Sequence, residues 1–202
     1  KDGRPEIVVV NLPGQKLYVL NADGSIKWGP LQLDGAPNVL GGGTPVIADL
    51  DGDGYPDIAV PSGDGGGYAA DRSNYLTAID RNGNLMWRAR TIRFTGPIAA
   101  TAFDFNHNGS YDVITGNYDD FNIHSGVTGQ LLFQATTPNY TLVESPSVAD
   151  VDGDGAADIL IGSNNTVFGP ITDARGLKMY SSDATLGQWA GTRRIWNQHA
   201  YS

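Results

Sequence analysis

The chain has 202 residues, 40% of them apolar, with 27 glycines, 11 prolines and no cysteine. That composition allows one sizeable core with many tight turns and excludes disulfides and thiol chemistry. A formal net charge of −9 argues against nucleic acid as a partner, since phosphates are neutralised by Lys and Arg, and no apolar run approaches the roughly 20 residues that span a bilayer.

Asp supplies 20 of the 22 acids, and Asp suits turns, caps and rigid metal loops where Glu suits helix surfaces. The chain opens on Asp2-Gly3-Arg4-Pro5-Glu6, the tail of an acidic loop, and runs into an Ile7–Val10 strand. A strand, a Gly-containing turn and a second strand follow, from Leu17 through Asp23-Gly24 to Trp28. The next unit is complete. It has a strand before Asp49, a loop from Asp49 to Asp57, an Ile58-Ala59-Val60 strand, a long Ser62 to Asn74 connection, and a hairpin from Leu76 through Asn82-Gly83 to Trp87. The third unit repeats this around Asp104–Asp112, with a hairpin from Phe121 to Phe133. The fourth repeats it around Asp150–Asp158, with a long Ser163 to Gly176 connection and a degenerate hairpin ending at Trp189. Aligned on Glu6, Asp57, Asp112 and Asp158, the units are 51, 55 and 46 residues apart.

Four short strands in a unit of roughly 40–50 residues describe a β-propeller blade. The expected fold is therefore all-β, a propeller of four-stranded blades over 1–190, with repeats at roughly 1–40, 41–94, 95–143 and 144–190 and a tail at 191–202. The first repeat lacks its opening strand, so the blades are expected to be part of a longer propeller.

Each acidic loop joins the first and second strands of its unit. Side-chain oxygens fall at positions 1, 3, 5 and 9 and a backbone carbonyl at position 7. In the first complete loop these are Asp49, Asp51, Asp53, Tyr55 and Asp57. In the second they are Asp104, Asn106, Asn108, Ser110 and Asp112, and in the third Asp150, Asp152, Asp154, Ala156 and Asp158. Calcium takes 6–8 oxygens in flexible geometry, which suits such a cage better than octahedral magnesium, and the absence of Cys argues against zinc. The first part of the spacing matches an EF-hand loop, but position 12 is an apolar strand residue (Val60, Ile161) in place of the bidentate Glu. A plain turn needs one or two Asp or Gly residues. Four carboxylates within nine residues repel one another without a cation. The expectation is about three Ca2+ ions, the second site softened by its asparagines. A fourth, incomplete loop of Asp2, Arg4 and Glu6 would share its site with residues upstream. Three calcium ions would add six positive charges to the formal −9.

The Pro-x-x-x-Asp lead (Pro45 to Asp49), the Asp-x-Asp-Gly-Asp-Gly-x-x-Asp loops and the Ile/Val strands after them resemble the FG-GAP and VCBS repeat family, found in the integrin α-subunit propeller and in large bacterial surface proteins. Gly43-Thr44-Pro45, Thr95-Gly96-Pro97 and Glu144-Ser145-Pro146 stand where the family has Gly-Ala-Pro, which favours its bacterial branch. The resemblance implies an extracellular or cell-surface location, a protein or glycan ligand, and contacts with other copies or domains of the same protein. The Leu76 to Trp87 hairpin also resembles quinoprotein repeats, read here as shared propeller geometry. The expected function is a non-catalytic, calcium-binding module for adhesion, surface assembly or ligand binding. The alternative is a calcium-dependent, lyase-type enzyme acting on polysaccharides. His107, His124 and His199 lie in different contexts, with no catalytic cluster to gather them. The two long connections are expected on the face opposite the metal loops. Tyr68, Arg72, Tyr75, Phe168 and Arg175 are the candidate ligand-face residues there. Trp28 and Trp87 are expected in the core between blades.

Overall fold

The computed structural model describes residues 3–11, 15–33, 43–63, 74–91, 99–117, 120–137, 145–163, 176–182 and 188–192. These residues form four antiparallel sheets, each continuous in sequence. The first holds β1 (Ile7–Asn11), β2 (Lys16–Leu20) and β3 (Ile26–Gln32). The second holds β4 (Val46–Ala48), β5 (Asp57–Gly63), β6 (Asn74–Ile79) and β7 (Leu85–Thr91). The third holds β8 (Ala100–Phe103), β9 (Asp112–Gly116), β10 (Asp120–His124) and β11 (Leu131–Thr136). The fourth holds β12 (Ser147–Ala149), β13 (Asp158–Ser163) and β14 (Gly176–Ser181). Sequence neighbours pair throughout, with the strand after each acidic loop joined to the strand before it: Ile47 faces Ile58, Thr101 faces Ile114 and Val148 faces Ile159.

Successive strand residues point to opposite faces, and both faces of the two middle sheets are used. In β5, Ile58 and Val60 pack with Leu17, Val19 and Leu33 of the first sheet. Ala59, between them, packs with Ala100, Ala102 and Val113 of the third. In β9, Val113 faces back to the second sheet, while Ile114 joins Val148, Ile159 and Ile161 of the fourth. Packing on both faces leaves β5 buried along its whole length, with a continuous apolar run over residues 58–61, where a one-sided strand would alternate. Consecutive sheets therefore pack face against face in chain order, with one apolar layer at each junction.

Polar contacts fix the same junctions. Gln15, fully buried, clamps Gly63 of β5: its Nε2 donates to Gly63 O at 2.6 Å and its Oε1 accepts from Gly63 N at 2.9 Å. Trp28 of β3 donates through Nε1 to Arg81 O at 3.1 Å and lies over Gly83. Trp87 of β7 repeats the arrangement one sheet on, donating to Gly126 O and covering Gly129. Both tryptophans thus seal junctions, as their recurrence suggests; Trp87 is buried and Trp28 half-buried.

Two features differ from the sequence expectation. The fourth sheet has three strands among the described residues, because Gln188–Thr192 lies outside any strand. Tyr75 is not a loop residue but part of β6, opposite Ser62 and Arg90, with the Arg88 guanidinium 5.3 Å from its ring centre. Tyr68, Arg72, Phe168 and Arg175 lie outside the described residues, as do Asp2, His199 and tail residues 193–202.

Candidate metal centres on the acidic loops

Each loop is held open by its own backbone. In the first, Asp49 accepts from Gly52 N and Gly54 N, both at 2.8 Å, one on each carboxylate oxygen. Asp53 N donates to Asp51 at 3.1 Å, Tyr55 N to Asp53 at 2.9 Å, and Leu50 N to Asp57 at 3.1 Å. The amides thus turn the carboxylates toward one centre. Gly52 and Gly54 stand at φ +80° and +84°, where a side chain would be strained. Carboxylate oxygens of Asp49, Asp51 and Asp57 lie within 4.8 Å of one another.

The third loop repeats the pattern. Gly153 N donates to Asp150 at 2.7 Å, Asp154 N to Asp152 at 3.0 Å, Ala156 N to Asp154 at 2.7 Å and Val151 N to Asp158 at 2.7 Å. Asp150, Asp152 and Asp154 place oxygens within 4.8 Å of one another. Asp158 lies beside that trio, with Asp152 N 3.4 Å from its Oδ2, and also takes the Ser181 hydroxyl.

In the second loop, Asn108 N and Gly109 N donate to Asp104 at 3.1 and 2.9 Å, and Asn108 accepts from Ser110 N at 2.7 Å. His107 takes the place of Gly52 at φ 56°, and its side chain is exposed, as a residue outside the cage should be. Ser110 and Ala156, at the carbonyl position, are buried, while Tyr55 is partly exposed.

Burial and mutual repulsion act together on these acids. Asp57 is 3% exposed, and its pKa is pushed up to about 6, first by burial and then by Asp51, Asp53 and Asp49. Burial, with Asp104 adding to it, likewise raises Asp112 to about 6. Asp112 Oδ2 is buried without a hydrogen-bond partner. A buried carboxylate oxygen left without a partner, in a loop of oxygen donors, is what a hard divalent cation would satisfy, so the residues present fit such an ion. Of the incomplete first loop, Arg4 and Glu6 are exposed, and Glu6 pairs with Lys27.

The structure adds contacts that residue spacing does not reveal. Arg81, in the β6–β7 turn, bonds Asp53 at 3.1 Å and stacks 3.7 Å from the centre of the Tyr55 ring. The three loops are also joined. Tyr111 N of the second loop donates to Asp49 O of the first at 2.9 Å. Ala190 N donates to Phe105 O of the second loop at 2.8 Å, and Ala190 O accepts from Ala157 N of the third at 3.0 Å. The Gln188–Gly191 segment is thus a strap across two loops, and Trp189 on it meets Phe105 edge-on at 5.0 Å. Of the remaining histidines, His124 is buried in β10 with Nδ1 3.1 Å from Gly129 O, and burial lowers its pKa.

Residues 1–60 match the family described as FG-GAP-like repeat. Among solved structures, the V. cholerae biofilm matrix protein Bap1 is similar in fold, with a TM-score of 0.54 at 17% identity over 97% of this chain. The chain spans 37% of the length of that protein. None of the curated proteins matches.

Proposed function

We propose that this chain is a segment of an extracellular β-propeller, loaded with calcium on its acidic loops, that serves as a non-catalytic adhesion or matrix-assembly module on a bacterial surface. The observation that carries the reading is the repeated loop: three copies in which backbone amides turn oxygen donors inward, two of them with three carboxylates inside 4.8 Å. Asp49, Asp51, Asp53 and Asp57 would hold the first ion and Asp150, Asp152, Asp154 and Asp158 the third. Asp104, Asn106, Asn108 and Asp112 would hold a more weakly bound second. The ion would cancel carboxylate repulsion and lock the turn between the first two strands of each sheet, a structural role.

Four consecutive sheets stacked face to face support the propeller reading. The FG-GAP-like match and the fold shared with a biofilm matrix protein support the surface role. Against catalysis stand the separated histidines, one exposed and one buried, and the commitment of the acids to the loops.

Calorimetric titration of chelator-stripped protein with Ca2+ and with Mg2+, paired with melting curves in calcium and in EGTA, tests the reading. At a free calcium 100 times Kd, each filled site adds about 2.7 kcal/mol, a rise of roughly 5–10 °C for a chain of this size. No heat of calcium binding together with superimposable melting curves would overturn it. Retention of labelled protein on bacterial cells or extracted matrix, in calcium against EGTA, tests the surface role.

A further inference from the structure

Where the strap crosses the second loop, a half-open cavity of about 320 Å³ lies between the strap, the loop and strands β10 and β11 of the third sheet. Its apolar wall is Phe105, Ile123 and Phe133, with Leu132 and Trp189 toward the opening. The Trp189 ring is held on two sides, 5.0 Å from Phe105 and 6.2 Å from Phe133, both edge-on. Its backbone is fixed by the two Ala190 hydrogen bonds to the loops. The indole is half-buried, so the surface is preorganised and still accessible. Two exposed amides, Gln188 and Asn106, stand at the rim. A second cavity of about 360 Å³ shares Phe105, Asn106, Gln188 and Trp189 and continues past the strap to His107, Gly155 and Gly191.

We propose that these paired cavities bind two successive sugar rings of a neutral oligosaccharide, one ring stacked on Trp189 and its hydroxyls bonded by Gln188 and by the Nδ2 group of Asn106, whose Oδ1 is turned to the second loop. An aromatic face takes the C–H face of a pyranose, and amides both donate to and accept from hydroxyls. The first cavity is at the small end of the roughly 300–1,000 Å³ that ligand sites span, which suits a single ring. Its one charged lining residue among those described is the anion Asp112, and the acidic loops flank both cavities. No Lys or Arg stands among the described lining residues of either cavity, and the carboxylates of Asp104 and Asp112 balance the charge of an ion held by the second loop, so carboxylated and sulfated sugars meet no net positive charge there, while a purely hydrocarbon ligand would strand the rim amides. The proposal deepens the surface-module reading by naming its ligand class.

The test uses the calcium-loaded chain on an array of neutral gluco-, manno-, galacto- and N-acetylglucosamine oligosaccharides beside polyuronates and sulfated glycans. Hits are quantified by calorimetry and by tryptophan fluorescence. Neutral oligomers are expected to bind, disaccharides more tightly than monosaccharides. Trp189→Ala should weaken binding about tenfold, and Trp189→Phe by less. Leu132→Arg, placed at a position 51% exposed, should block the first cavity and abolish binding with an unchanged melting temperature. Binding of acidic glycans alone, or full affinity in both Trp189→Phe and Leu132→Arg, overturns the proposal. So does a calcium-loaded chain that binds no neutral sugar, and that outcome leaves the ion reading standing. Sugar binding by a chain that takes up no calcium supports the cavity and overturns the ion reading alone.

Discussion

A buried carboxylate surrounded by other carboxylates is stable only while something cancels its charge. Asp57 is 3% exposed, faces Asp49, Asp51 and Asp53, and holds its proton up to about pH 6 in the ion-free fold. The unfolded chain releases that proton near 3.8. The folded state therefore binds more protons between those values, and the contribution of Asp57 to stability, fully present below 3.8, is lost as pH rises through about 6. A bound divalent cation reverses the sign by favouring the ionised form. Asp57→Asn should accordingly raise the melting temperature in EGTA at pH 7 and lower it in calcium, since the amide is a poorer ligand but carries no charge to bury. Melting curves of the variant and parent in both buffers, at pH 5 and pH 7, check this. A variant less stable than the parent in EGTA at pH 7 would show that Asp57 is satisfied without an ion.

At the scale of elements, the turn between β10 and β11 is the point where the first two loops meet. Gly126 sits against both: a Cβ there would lie 2.0 Å from Tyr111 O and 2.7 Å from Leu50 O, backbone atoms with no room to yield. Its own carbonyl takes the Trp87 indole. Gly126→Ala should cost about 3 kcal/mol, a fall of roughly 6–12 °C in melting temperature. It should also weaken calcium at the first and second loops while leaving the third intact, and calorimetry resolves those sites. The first three hairpins, the loops and the exposed His107 were legible in the sequence because turn residues and the Asp and Asn of the loops are side-chain choices with fixed spacing. The strap was not, because Ala190 joins the loops through its amide and carbonyl, which leave no mark on residue type. Arg81 was hidden for a related reason: its partner Asp53 lies 28 residues away, brought near only by the pairing of β5 with β6. Tyr75 adjoins the Ser62 to Asn74 connection and groups with it by residue type, whereas the β5–β6 ladder runs on to Asn74 and makes Tyr75 a strand residue.

At the scale of the whole molecule, the described residues cover the middle sheets on both faces and the end sheets on one. Lys178 and Tyr180 of β14 reach back to Thr136 of the third sheet. The alternate residues Leu177 and Met179 consequently point away from it, 71% and 46% exposed. At the other end, Val8 and Val10 face the second sheet, and Ile7 on the opposite face is 48% exposed. Among the described residues the first and fourth sheets do not cover each other, and each presents an apolar face of the kind that is buried at every internal junction. Such faces associate in water. The 202-residue chain is expected to self-associate at micromolar concentration, in calcium and in EGTA alike, because these faces lie away from the loops. Leu177→Lys with Met179→Lys should shift sedimentation velocity profiles toward monomer. Melting measured below the association range should not change, since neither side chain joins a core cluster. A parent chain that sediments as a monomer at all concentrations would show that these faces do not associate and would overturn the prediction.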